Sequence, residues 1–270
     1  MANVERVGLV QEGYSAIENI GKKVLKIWRE VSLFARFLGE IVRQAIRGPM
    51  RRELIFQHLE FIGNQSLNII LMTSFFTGAV FGLQIGGIFQ IFKAEGLMGA
   101  ATGKALAREL SPMMTAFLLT GRAGSAITAE IATMKVNEQV DAMEAMAVDP
   151  ISYLVVPRVI AATIILPFLT GIFSFIGVVG AFITGVILFD IDEGVFIEKM
   201  TWFVGTKDIW SGLVKSVVFA NVIVAMACHY GLRASGGAKG VGVATTDSVV
   251  MTLLALLSVD FLITYLQIAL

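Results

Sequence analysis

Residues 61–92 and 159–189 contain no Asp, Glu, Lys or Arg. Uncharged apolar runs of this length have no polar face to turn to water, and a bilayer-crossing helix needs about 20 such residues. The whole chain agrees: 56% of its 270 residues are hydrophobic and 16% are charged, against about 25% charged in soluble domains. Mean hydropathy is +0.78. The expected fold class is therefore an all-α integral membrane protein.

Five transmembrane helices are expected. The first lies within Phe61–Phe92 and the second runs from about Gly103 to Gly121 with Arg108 and Glu109 inside it. The third lies within Val159–Phe189, the fourth is about Gly212 to Leu232 with Lys215, and the fifth is about Thr246 to Ala269 with Asp260. The first and third are too long for one upright helix and too short for two, so tilt, bending or extension beyond the bilayer is expected. Pro157 and Pro167 punctuate the third, and Ser111-Pro112 is expected to kink the second.

Ahead of the spans, residues 15–47 carry apolar side chains at alternating steps of three and four: Ile17, Ile20, Val24, Ile27, Val31, Phe34, Leu38 and Ile41. Trp28, Leu33 and Phe37 widen this face; Lys22, Lys23, Lys26, Arg29, Arg36 and Arg43 lie off it. A coiled coil fits the strict 3.5 period. The basic and Trp flanks favour an amphipathic interfacial helix lying along the membrane. Residues 1–14 include Glu5, Arg6 and Glu12 without a long apolar core, so no signal peptide is expected. The domain division is a cytoplasmic N-terminal region, 1–60, followed by a transmembrane domain, 61–270.

Loop charge sets the orientation. Residues 1–60 hold ten Lys/Arg and seven Asp/Glu, while the loop between spans three and four holds Asp190, Asp192, Glu193, Glu198 and Asp208 against Lys199 and Lys207. Arg233 and Lys239 follow span four. The N-terminus, the segment 122–158 and the loop 233–245 are thereby assigned to the cytoplasm, with the C-terminus outside.

Several residue groups carry possible chemistry. Gly78, Gly82 and Gly86 form a four-residue ladder on span one that permits close helix approach. It suits packing within one subunit, or contact beside a lipid-accessible cavity or at a dimer seam. Phe75, Leu83, Ile85 and Phe89 on the same span would line such a cavity. Arg108, Glu109, Lys215 and Asp260 all fall in the outer half of the bilayer. Charges there are costly, face the protein interior and pair with one another. Two readings stand for this layer: an ion-pair network fixing helix register, or a polar rim for a phospholipid head group. Arg108 and Glu109 are adjacent and point about 100° apart, so different partners are expected for them.

Between spans two and three, Val136, Val140, Met143 and Ala147 share one helical face. Glu138 and Asp141 take the opposite face, with Glu144 and Lys135 at its flanks. Such a helix either lies passively on the membrane or docks its acidic face into a partner. Catalytic signals are missing. Gly103-Lys104 lacks the first glycine of a phosphate loop and the hydroxyl after the Lys, and Gly236, Gly237, Gly240 and Gly242 lack dinucleotide spacing. His58, His229 and the single Cys228 suggest no metal site. Zero net charge gives no reason to expect nucleic acid. A membrane-embedded enzyme and a scaffold without a transport path are the competing function classes, and the first lacks a visible nucleophile.

The wording of several segments resembles the MlaE-type permeases, the MCE-associated lipid ABC transporters. Gly82-Leu83-Gln84 ends span one. Arg108-Glu109-Leu110-Ser111-Pro112 is similar to the family's RELGP element, and Gly121 to Ala126 with Thr128 to Ile131 resembles GRAGSA-TAEI. Glu138-Gln139, Met143-Glu144 and Met146 to Pro150 resemble its EQ, ME and MAVDP steps. Pro157-Arg158, Lys215 to Phe219 and Ala244-Thr245-Thr246 follow in order. Two positions depart from the pattern: Ile85 where an aromatic often follows GLQ, and Asp247 where many members carry a basic residue.

The resemblance implies the permease of a bacterial phospholipid ABC transporter in the inner membrane. It would move lipid between that membrane and a periplasmic MCE-domain carrier, maintaining outer-membrane lipid asymmetry. It implies a homodimer, two cytoplasmic ATPase subunits that bind the ATP, a ring of MCE-domain proteins and, in some systems, a STAS-domain regulator; the chain itself needs no cofactor. Carried onto this sequence, it places Glu130, Lys135, Glu138, Asp141, Glu144 and Asp149 in a coupling helix against the ATPase. It places Arg108, Glu109 and Lys215 near the lipid pocket. Gly121 and Ser125 join the glycine ladder as helix-packing positions.

Overall fold

A computed structural model describes Arg29, residues 32–48 and residues 51–269 of the chain. The chain divides into two compact units, Met1–Arg47 and Gly48–Leu270. In the first, helix α1 spans 32–47. Most of the apolar stripe expected over 15–47, from Ile17 through Val31, lies outside the described residues.

The second unit holds seven helices and no strand among its described residues: α2 (Arg52–Ile91), α3 (98–136), α4 (Gln139–Ala145), α5 (Ile151–Phe189), α6 (Glu193–Phe203), α7 (Thr206–Leu232) and α8 (Gly237–Ala269). The division between units falls at residue 47, and α2 runs unbroken through the boundary expected at residue 60. A π-helical turn, Glu60–Asn64, absorbs the passage there from polar to apolar sequence.

Among the described residues, α2, α5, α7 and most of α8 are long and apolar enough to cross a membrane, four helices where five spans were expected. The remaining expected span lies in α3. Two π-helical turns, Leu106–Leu110 and Thr120–Gly124, cut its α-helical hydrogen bonding into shorter pieces. The first of these directly precedes Ser111-Pro112, where a kink was expected, and Pro112 opens the following α-helical piece, where its missing N–H costs little. Pro167 sits inside α5 without ending it.

Glycines set the packing. A Cβ at Gly78 would overlap the Gly177 carbonyl oxygen, and one at Gly180 would overlap that of Phe75. The Thr184 hydroxyl donates to the Ala79 carbonyl at 3.3 Å. Helices α2 and α5 thus touch backbone to backbone and run parallel, Gly78 beside Gly177 and Gly82 beside Ala181. The ladder serves packing within the chain.

Helix α7 meets α3 in the same manner. A Cβ at Gly212 would overlap the Ala107 carbonyl oxygen, and one at Gly231 would come within 2.9 Å of Ile131. From Gly212 to Gly231 the helix rises about 28 Å, close to the thickness of a hydrocarbon core. Helix α3 therefore covers the same depth as a helix that qualifies as a span. Helix α8 runs antiparallel to both, joined to α3 by Thr128 and Ser248 at 2.9 Å and to α7 by Ser211 and Gln267 at 2.6 Å. It buries one stripe, Ala244, Ser248, Thr252 and Leu256, and exposes Met251, Leu254, Leu257 and Phe261.

Helix α6 was expected only as loop. Its start is fixed by Asp192, whose carboxylate accepts the Val195 N–H at 3.0 Å, a cap readable in the sequence as Asp192-Glu193. Phe196 on α6 buries against Met98 and Ile191.

Candidate functional site: a charge cluster around a buried lysine and a joint at the other end of the bundle

Lys215 is fully buried on α7. Its ammonium pairs with Glu109 of α3 and lies 3.1 Å from Asp260 of α8. It also donates to the Thr264 hydroxyl at 2.7 Å. Three helices therefore share one cation. A buried lysine is tolerable only when its charge is paired and its donors find acceptors; this one is paired with two carboxylates and donates to Glu109 and Thr264. Two carboxylates surround one ammonium, so the cluster carries net negative charge when all three groups are ionised.

Arg108 does not join them. It lies 3.7 Å from Asp208 at the start of α7, and Asp208 is also 3.9 Å from Lys104. The offset between adjacent residues on α3 sends Glu109 to Lys215 and Arg108 to a different partner, as the helical geometry requires. Asp208 was expected only as a loop acid, and Arg108's need for a partner was the available signal for it. Its carboxylate also accepts the Gly205 N–H at 3.0 Å, closing the first turn of α7.

The apolar residues expected around a cavity disperse. Ile85 and Phe89 pack against the cluster of Met98, Ile191 and Phe196 inside the chain. Both are partly buried there, and Phe196 of α6 belongs to the cluster they pack against. Phe75 stacks edge-to-face with Phe76, and Leu83 is exposed on a stripe with Met72, Phe76 and Val80. Gly86 abuts the Phe189 ring. Gly121 also departs from expectation: a Cβ added there would meet nothing within 4 Å, whereas one at Gly124 would lie 3.3 Å from Ile223. Ser125 returns its hydroxyl to the Gly121 carbonyl within its own helix.

At the opposite end of the bundle, the segment expected to couple to a partner is shorter than a single amphipathic helix. Helix α3 ends at Val136, Glu138 adopts a left-handed φ of 60°, and α4 spans Gln139–Ala145. A non-glycine residue in that conformation breaks the helix, so Val136 and Lys135 lie on α3 while Val140 and Met143 lie on α4. Ala147, also at positive φ, falls beyond α4. Val140 is buried, and Glu138, Asp141 and Glu144 are exposed. Lys135 pairs with Asp141 across the break. Asp149 accepts the Ile151 N–H at 3.1 Å, at the start of α5.

Two arginines anchor this end, and neither role was anticipated. Arg158, 2% exposed, reaches Glu130 at 2.8 Å and donates to the Leu154 carbonyl, joining α5 to α3. Arg122 donates to the Phe61 carbonyl and the Ser66 hydroxyl, both at 2.7 Å, and to Gln65. It stands in the π-helical turn of α3 and grips the π-helical turn of α2. A π-helical turn shifts backbone carbonyls out of the ordinary hydrogen-bond ladder. The Phe61 carbonyl is one acceptor that a guanidinium here can reach. No group of three or more His, Cys, Asp or Glu able to hold a metal occurs among the described residues.

The bundle thus carries a charge cluster centred on buried Lys215 at one end and a short helix with exposed acids at the other. Residues 55–266 match the family described as Permease MlaE. The chain belongs to the MlaE permease family. A probable ABC transporter permease protein of Rickettsia felis is 41% identical over 246 residues, covering 91% of this chain and 95% of the relative. One of Synechocystis is 38% identical over 244 residues, 90% and 93% of the two chains. The chloroplastic protein trigalactosyldiacylglycerol 1 of Arabidopsis thaliana is 35% identical over 237 residues, 88% of this chain and 67% of that one. This MlaE-family chain is thus a multi-pass membrane protein and the permease subunit of an ABC transporter.

Proposed function

We propose that the permease moves phospholipid between the bacterial inner membrane and a periplasmic MCE-domain carrier, and so maintains outer-membrane lipid asymmetry. It works as a homodimer with two cytoplasmic ATPase subunits and an MCE-domain ring; a STAS-domain protein regulates some assemblies of this kind. The N-terminus and α4 face the cytoplasm, and the C-terminus of α8 faces the periplasm.

The observation that carries this reading is the Glu109–Lys215–Asp260 cluster, in which fully buried Lys215 holds two partly exposed carboxylates at a helix crossing of bilayer depth. Ionisable groups at such depth mark substrate paths when they are not purely structural. A cluster with two carboxylates on one ammonium can exchange partners with the charged head group of a lipid. Acyl chains would lie along the exposed apolar stripes of α2 and α8, between the two copies. Relatives in this family include a plant protein whose name is that of a galactolipid, which supports a lipid cargo.

The mechanical path follows from the joints. Exposed Glu138, Asp141 and Glu144 meet the ATPase. Glu130, held by buried Arg158, ties α3 to α5 next to that contact. Arg122 ties α3 to α2. A displacement of α4 therefore reaches three spans at once, while the far end of α3 carries Glu109 into the cluster.

Native mass spectrometry of the tagged chain, gently extracted from its own membrane, tests the reading. Two copies with two ATPase subunits, an MCE-domain ring and bound phospholipid are expected. A lone chain without nucleotide-binding partner or lipid, under conditions that preserve a control transporter, would overturn it and favour a scaffold.

A further inference from the structure

A second polar site lies beside the Lys215 cluster and is not part of it. An open cavity of about 750 Å³ is bounded by the first turns of α7, by α3 and by the end of α6. Its cations are Lys104, Arg108 and Lys207, and Asp208 is the one carboxylate among its lining residues. That carboxylate is already shared between Lys104, Arg108 and the Gly205 amide, so Lys207 and much of the field of the other two remain for a ligand. Lys104 is half exposed at its side chain, so its ammonium is accessible.

The apolar wall is aromatic. Trp202 and Trp210 are 77% and 63% exposed, and Phe203 stacks edge-to-face on Trp202 at 4.7 Å. Exposed indoles at the end of a membrane bundle sit at head-group level, where the ring meets acyl chains and the N–H meets water. Val214, one turn further along α7, extends the apolar wall toward the bilayer interior. Cations at the rim and indoles below them fit an amphiphile with an anionic head and an apolar tail. The size suits one head group, since ligand cavities run from about 300 to 1,000 Å³.

We infer that this cleft binds the phosphate-bearing head group of an anionic lipid at the surface of the bundle, outside the Glu109–Lys215–Asp260 cluster. The head lies between Lys104 and Lys207, and the first acyl carbons lie against Trp202 and Trp210. The inference needs only the membrane placement of the chain, so it stands or falls separately from the transport reading.

Tryptophan quenching in the full chain tests it. The chain has three tryptophans, and Trp28→Phe leaves Trp202 and Trp210 as reporters. The chain is reconstituted with phosphatidylglycerol or phosphatidylcholine brominated near the ester, at equal mole fraction. A severalfold excess of quenching by the anionic lipid is expected. Lys104→Gln with Lys207→Gln should remove that excess, whereas Lys93→Gln, a lysine outside the cleft, should leave it. If millimolar inorganic phosphate at constant ionic strength leaves the excess intact, the lipid is the source of the anion; if it abolishes the excess, the cleft takes phosphate without need of a tail. Equal quenching by the two lipids, or an excess that survives the double substitution, overturns the inference.

Discussion

Lys215 of α7 holds Asp260 of α8 at 3.1 Å while also pairing with Glu109 of α3, and no part of its side chain reaches the surface. One cation thus closes a three-helix junction. Removing it by Lys215→Met leaves two carboxylates facing each other without a counter-charge. Breaking a buried pair costs about 3–5 kcal/mol in soluble proteins; partners found in the membrane-inserted unfolded state reduce this. A clear drop in thermal unfolding temperature in detergent is expected. Adding Glu109→Gln and Asp260→Asn should recover much of the stability, because a neutral cluster has no charge to balance. Lipid transport by the triple variant then separates the two roles: a folded but inactive triple assigns the cluster to the head group, and normal transport leaves it a register device.

Gly78 and Gly87 stand nine residues apart on α2 and make opposite demands. A Cβ at Gly78 would overlap the Gly177 carbonyl oxygen, whereas one at Gly87 meets nothing within 4 Å. Overpacking of a well-filled contact costs about 1–3 kcal/mol. Because the obstacle at Gly78 is backbone, which cannot swing aside, Gly78→Ala should fall at the upper end. Gly87→Ala should be neutral or slightly stabilising, since alanine is the better helix former. Thermal unfolding of the pair, measured side by side, decides this; equal effects would mean that α2 and α5 do not pack as described.

Arg122 binds two acceptors of α2 at 2.7 Å each and a third beside them. A lysine offers a point charge and cannot span the Phe61 carbonyl, Ser66 and Gln65 together. Hydrogen bonds to charged groups contribute about 1.5–3 kcal/mol each, so Arg122→Lys should loosen the joint without unfolding the chain. Hydrogen exchange reads this directly. Faster deuterium uptake over residues 60–66, with little change in α8, is the expected result, and unchanged uptake there would remove Arg122 as a clamp.

What the sequence disclosed and what it hid divide along physical lines. The uncharged runs announced α2 and α5, because no other environment accepts them. The direction of Arg108 away from Glu109 was legible from helix geometry alone. The cation shared by Glu109 and Asp260 could be anticipated as pairing but not as a triad, since only the crossing of α7 between α3 and α8 brings them together. The π-helical turns were not legible, and they underlie the new role of Arg122; α3 fails to read as an apolar span because Lys104, Arg108, Glu109 and Arg122 interrupt it. Ile85 and Phe89 looked like cavity lining because nothing in their own helix reveals that Met98, Ile191 and Phe196, the last on an α6 itself read as loop, would pack against them. The left-handed Glu138 hid in a sequence whose apolar spacing runs straight through the break.

The short acidic helix carries the last prediction. Glu138, Asp141 and Glu144 are exposed, and the Lys135–Asp141 pair bridges the break between α3 and α4. Exposed pairs contribute only about 0–1 kcal/mol, so charge changes here should leave the fold intact. Glu138→Lys with Asp141→Lys should abolish ATP-driven lipid transport in proteoliposomes containing the ATPase, with an unaltered unfolding temperature. That result alone would not separate a lost local pair from a lost docking surface. Exchanging the partners, Lys135→Glu with Asp141→Lys, keeps the local pair and reverses the charge on α4. If the ATPase reads the charge of α4, the exchanged variant is also defective, and raising the salt concentration weakens the parental coupling as screening predicts. Normal transport by the exchanged variant, with loss only when the pair is broken, would make the segment a local brace rather than the surface through which the motor acts.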